Sequence, residues 1–149
     1  MLIDSHAHLE MKEFDDDRND VIERAKAAGV DFIVTVGTNP GLSRKAVKLA
    51  GQYDNIYATI GVHPHDVGKI SNTTYDELKK LAGDKKVVAY GEIGLDYFRN
   101  IAPQALQIKK FGEQLQLAKE LNLPVVIHAR QAHAQSLEMI KSSGIHRGV

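Results

Sequence analysis

The sequence predicts an α/β fold assembled from five successive strand–helix units. Short β-branched runs recur along the chain, and each is followed by a segment with helical spacing. Each run is nearly continuous rather than alternating, as in parallel strands covered on both faces. Glycines stand just beyond three of the helical segments, at Gly29, Gly83 and Gly144, where a left-handed residue ends a helix.

The first strand covers Leu2 to Asp4. The acidic run Asp15-Asp16-Asp17 then precedes a helix, capping it and complementing its dipole. Val21, Ile22, Ala25 and Ala28 share one face of that helix. Phe32 to Val36 form the second strand, and Ala46, Leu49 and Ala50 mark the helix after it. The third strand, Ile56 to Ile60, leads into the longest irregular stretch, His63 to Thr73. A helix marked by Tyr75, Leu78, Leu81 and Ala82 follows. Val87 to Tyr90 make the fourth strand. The longest helix starts at Pro103 and carries Ile108, Phe111, Leu115 and Ala118 at spacings of three, four and three. The fifth unit is Val125 to Ile127, with a helix from about Ala132 to Ser142. No linker, low-complexity segment or further repeat interrupts the series, so residues 1–149 read as one domain.

This alternation supports either an open doubly wound sheet or a (β/α) barrel. A dinucleotide site has no support, because no Gly-x-Gly-x-x-Gly follows the first strand, and no Gly-Lys-Ser/Thr phosphate loop occurs. Nineteen basic residues balance nineteen acidic ones, which argues against a nucleic-acid binder working through a broad basic field. A small, locally positive site is compatible with that balance. With no cysteine, disulfides, thiolate metal sites and thiol nucleophiles are excluded, and any metal is held by His, Asp or Glu. The first residues lack a signal-peptide pattern and no stretch is apolar enough to span a membrane, so the expectation is a soluble cytoplasmic protein without membrane contact.

The histidines carry the chemical signal. His6 and His8 follow the first strand, His63 and His65 the third, and His128 ends the fifth, while Glu92 ends the fourth. In a parallel sheet all strand C-termini lie at one end, so these residues converge. His6 and His8 are two apart and present both imidazoles to one side of an extended segment, as two ligands of one ion. Asp4 either fixes the turn or orients a histidine ligand. Glu92 continues a buried strand between Gly91 and Gly94, where a carboxylate is costly unless paired or ligating a cation. His128 follows the same logic as a ligand, and Arg130 pairs with either a phosphate or a neighbouring carboxylate. His63 and His65, stiffened by Pro64, are turn residues or contacts for substrate and protons. His133 and His146 read as surface residues.

Four segments together resemble the TatD family of metal-dependent hydrolases. They are Ile3-Asp4-Ser5-His6-Ala7-His8-Leu9, Ile60-Gly61-Val62-His63-Pro64-His65, Gly91-Glu92-Ile93-Gly94-Leu95-Asp96-Tyr97 and Pro124-Val125-Val126-Ile127-His128-Ala129-Arg130. The resemblance implies a TIM-barrel-type (β/α) fold, here incomplete with about five of eight βα units. It implies two divalent metal ions, Mg, Mn or Zn, and a deoxyribonuclease cleaving phosphodiester bonds from the 3′ side of DNA. By position, His6 and His8 would bind one metal, Glu92 would bridge both as the catalytic carboxylate, and His128 would bind the second. His63 and His65 would face the substrate as catalytic residues, and Arg130 would bind it. Gln131 stands where the family commonly has an acidic residue. The family's further ligands, a His from the sixth strand and an Asp from the eighth, lie beyond Val149, and His146 precedes the sixth strand. The expectations are therefore free edges on the first and fifth strands, self-association through them, or a truncated form of a longer protein. The alternatives are a metal-dependent ester or amide hydrolase, against which Glu92 in the fourth strand speaks, and a catalytically impaired metal-binding half-barrel.

Overall fold

Five strands, β1 (Leu2–Ala7), β2 (Val30–Val36), β3 (Ile56–Ile60), β4 (Val87–Asp96) and β5 (Val125–Arg130), lie in one sheet in the order of the chain, and each neighbouring pair is parallel. The computed structural model describes residues 1–149. Helices α1 (Arg18–Ala27), α2 (Pro40–Ala50), α3 (Asn72–Leu81) and α4 (Gln104–Glu120) connect the strands, and α5 (His133–Ser143) follows β5. A doubly wound sheet reverses its strand order at a switch point. Here every crossover steps the same way, and right-handed crossovers then put the helices on one face. That is the winding of a (β/α) barrel taken part of the way round, and it decides between the two architectures that periodicity leaves open.

The apolar residues of the strands divide between that helical layer and the opposite face. Ile33, Ile56 and Ala58 pack with Ile22, Ala46 and Leu49 from α1 and α2. Tyr90, Ile93 and Leu95 pack with Leu78, Phe111 and Leu115 from α3 and α4. On the other face of β2, Val34 and Val36 meet Ala89 and Val126. Two buried glutamines of α4 tie this layer to the strand ends. Gln114 accepts from the Val62 N–H at 2.9 Å and donates to the Val62 carbonyl at 3.0 Å. Gln107 does the same for Asp96, at 2.8 and 3.1 Å.

Several elements differ from expectation. β1, β4 and β5 run on to Ala7, Asp96 and Arg130, because parallel pairing continues through Gly94↔His128 and Asp96↔Arg130. The chemical motifs thus sit inside strand ends rather than in loops after them. β1 is exposed from Leu2 to His6 and is not covered on both faces. The outer edge of β5 is not free, since the Ile127 N–H donates to the Val149 carbonyl at 2.9 Å and the Val149 N–H to Val125 at 3.0 Å. The acidic run makes no side-chain cap. Instead Asp15 pairs with Arg18 at 2.6 Å and Asp17 with Arg24 at 3.4 Å. Within His63 to Thr73 there is a short 3₁₀ turn, Val67–Lys69, and Ser71 with Thr74 forms the capping box that starts α3. No helix is long and apolar enough to cross a membrane.

Candidate metal centre

The shared end of the sheet gathers His6, His8, His63, His65, Glu92 and His128, as the strand-end positions predict. Glu92, only 7% exposed, stands at the middle. Its Oε2 lies 3.5 Å from His6 Nε2 and 3.9 Å from His8 Nε2. Its Oε1 lies 2.9 Å from His128 Nδ1 and 4.0 Å from His63 Nε2. One carboxylate thus turns each of its oxygens to a different histidine pair.

The neighbours of these rings decide which nitrogens are free to bind. His8 Nδ1–H donates to the Val36 carbonyl at 2.9 Å, which leaves the Nε2 lone pair facing Glu92. His63 Nδ1 accepts from the His65 N–H at 3.2 Å. Neutral His63 therefore carries its proton on Nε2, 3.1 Å from His128 Nδ1, and presents a donor rather than a lone pair. Burial drives the His63 pKa down to about 4 against the opposing pull of Glu92, so the ring is neutral near pH 7. His128 Nε2–H donates to Asp96 Oδ2 at 3.1 Å, and this turns Nδ1 toward Glu92.

Asp96 is a residue that sequence reasoning quotes in a motif and leaves without a role. It is fully buried, and its Oδ2 also accepts from His65 Nε2–H at 2.7 Å while Oδ1 accepts from the Arg99 N–H at 2.8 Å. Burial alone would raise its pKa. The donors from Arg99, His65 and His128 outweigh burial and hold it at about 2. A signal existed, since residues 92 and 96 point to the same side of a strand. Burial likewise opposes ionisation of Glu92, yet His128, His6 and His63 hold it well below the usual carboxylate range. The His128 pKa is in turn raised, mainly by its hydrogen bond to Glu92 against the effect of burial.

Glu10 is the second residue missed. Its buried carboxylate accepts from the Thr35 hydroxyl at 2.5 Å and lies 3.5 Å from His8 Nδ1, and this contact, opposed by burial, raises the His8 pKa. Nothing in its sequence position announces that burial. Asp4 lies inside β1 rather than in a turn after it, and its carboxylate accepts from the backbone N–H of His6 at 3.1 Å. Arg130 reaches no carboxylate, and its guanidinium lies over the Phe98 ring at 4.0 Å. His133 and His146 are exposed, as expected.

Local backbone contacts permit this convergence. Gly94 has φ +147°, and a Cβ there would run into the backbone carbonyl of His128. A Cβ on Gly91 would likewise meet the backbone of Val126. Glycine at both positions lets β4 and β5 close against each other beside Glu92 and His128.

The donor set fits divalent cations. Two imidazole nitrogens and a carboxylate oxygen, from His6, His8 and Glu92, lie within 4.8 Å of one another, and His63, Glu92 and His128 form a second such group beside them, in which neutral His63 presents Nε2–H. Imidazole with carboxylate suits Zn, Mn or Mg better than thiolate-seeking ions. The two oxygens of Glu92 suit a carboxylate shared between paired ions.

Comparison with known proteins identifies the family and agrees with the fold. The profile of the family described as TatD related DNase matches residues 3–149. The chain is 42% identical over 144 residues to an uncharacterized metal-dependent hydrolase, YabD, of Bacillus subtilis, covering 97% of this chain and 56% of that protein. It is 42% identical over 139 residues to a 3′-5′ ssDNA/RNA exonuclease TatD of Cronobacter sakazakii, covering 93% of this chain and 53% of that protein. Among solved structures, the TatD homologue YjjV of Escherichia coli superposes with a TM-score of 0.89 at 34% identity, over 95% of this chain and 56% of that one. The chain thus spans about half the length of the curated relatives it matches.

Proposed function

This chain belongs to the TatD related DNase family, and from that membership we propose that its strand-end centre is the active site of a metal-dependent hydrolase. It cleaves phosphodiester bonds in DNA and works from a single-stranded 3′ end. The observation that carries the reading is Glu92, whose two oxygens face two histidine groups at once.

His6, His8 and Glu92 would hold one divalent ion, and Glu92 with His128 would begin the site of a second. When bound, such ions offset phosphoryl charge and acidify water. The remaining steps belong to side chains. Asp96 aims His128 at the centre through Nε2–H and holds His65 through the same oxygen. Neutral His63 offers Nε2–H to a phosphoryl oxygen, where charge grows as water adds to phosphorus and the bond to the sugar oxygen breaks. Arg130 binds the substrate at the rim. The neutral composition leaves attraction for DNA to this local centre. Absence of cysteine suits work in a reducing compartment such as the cytoplasm. The open edge of β1, where Leu2 and Ile3 are 57% and 47% exposed, serves self-association.

The test is release of nucleotides from end-labelled single-stranded oligonucleotides with Mg, Mn or Zn ions. Degradation from the 3′ end that stops on chelation and is lost in Glu92→Gln is expected. Failure both by this chain and by a chain extended to the relatives' length would overturn the nuclease reading.

A further inference from the structure

An exposed aromatic and two arginines without a carboxylate partner stand at the rim of the centre. Phe98 leaves the end of β4 two residues after Asp96, and Arg130 ends β5 two residues after His128. Because Asp96 and Arg130 are register neighbours, the two come together, with the guanidinium 4.0 Å from the ring centroid. The Phe98 side chain is nevertheless 55% exposed, and Ile101 beside it is 60% exposed. Arg99 and Arg130 are both exposed and neither joins an ion pair.

A half-exposed ring, stiffened by a cation over it and flanked by positive charge outside any ion pair, has the chemistry of a single-strand stacking site. It offers an apolar surface to a base and donors to the phosphates on either side. Two residues of extended chain span about 7 Å. Within β5 that distance separates His128 from Arg130, and it suits one nucleotide step along an extended strand.

We propose that Phe98, braced by Arg130, is the platform on which the nucleobase adjacent to the cleaved phosphodiester stacks, with Arg99 and Arg130 meeting the flanking phosphates. This rests on the nuclease reading and adds a base subsite to it. The ligand class is a single-stranded oligonucleotide end, and the contact tolerates any base, because every base offers a π-face.

The experiment uses a phosphorothioate oligonucleotide with 2-aminopurine at its 3′ end for binding, and ordinary oligonucleotides for kinetics. Stacking quenches 2-aminopurine on binding to the wild-type chain. Phe98→Ala relieves the quenching and raises KM roughly tenfold, the effect of losing one stacked base, and Phe98→Trp restores both. An abasic nucleotide at the 3′ end gives the wild-type chain the same rise in KM, and Phe98→Ala adds nothing further to it. Independent, multiplying effects of the variant and the abasic nucleotide overturn the platform, as does 2-aminopurine that stays bright in the bound complex. A wild-type chain that cuts DNA while Phe98→Ala cuts it with unchanged KM removes the platform alone. A wild-type chain that neither binds nor cuts removes the platform and the nuclease reading together.

Discussion

Glu92 keeps its charge where burial opposes it, because four histidines surround it and two of them contact it closely. The same economy holds at Asp96, which three donors keep ionised and which thereby fixes two rings. Asp96→Asn replaces an acceptor of two N–H groups by an amide that satisfies only one orientation. It should weaken binding of Mn or Zn ions about 10–100-fold by calorimetry while circular dichroism stays unchanged. Unaltered affinity would reduce Asp96 to a packing residue. His63 makes a pH prediction. Its pKa falls from the ordinary 6.5 to about 4 in the folded chain, so between those values the unfolded state binds the extra proton. Stability from this residue is therefore complete above about pH 6.5 and declines as pH falls toward 4, by on the order of 1–3 kcal/mol. Urea unfolding of metal-free protein between pH 7 and 4.5 reads this slope, and His63→Asn should flatten it. Equal slopes would assign the pH dependence to other groups. The residues of the centre were legible by type and strand-end position. The roles of Asp96 and Glu10 were not, because a carboxylate's burial depends on what other segments lay over it.

Among the elements, β4 carries the most. It pairs with β3 and β5, supplies Glu92 and Asp96, and has its final residue held by Gln107 of α4. Its close approach to β5 depends on the missing side chain at Gly94. Gly94→Ala sets a methyl against the His128 carbonyl at an unfavourable φ, and should cost about 1–3 kcal/mol in urea unfolding. An unchanged midpoint would mean that the strands yield easily there. The five strands and five helices were all legible from periodicity. Their ends were not, since the apolar run of β4 stops at Tyr90 whereas its ladder goes on to Asp96. The later residues were drawn into the strand by hydrogen bonds to β5, and the pattern of their own side chains carries no such signal. Gln107 and Gln114 were passed over for a similar reason, as polar residues on the apolar face of α4 whose partners are distant backbone groups.

Over the whole molecule, the sheet order concentrates the chemistry at one end. A ligand that binds only the assembled centre stabilises the entire fold, so a divalent ion at 100 times its Kd should add about 2.7 kcal/mol and raise Tm. Glu92→Gln should abolish the rise, and an equal rise in the variant would put the ion elsewhere. The sequence by itself determined the α/β class, the five units, the freedom from thiol chemistry and the candidate ligands, because these follow from composition and from short-range spacing. Only the tertiary structure decided that the units wind in one direction, that the last residues cover the edge of β5, and that Glu92 faces two histidine groups while Arg130 lies on Phe98. Each of these is a relation between segments far apart in the chain, set by how strands pair and helices pack, and local pattern does not contain it.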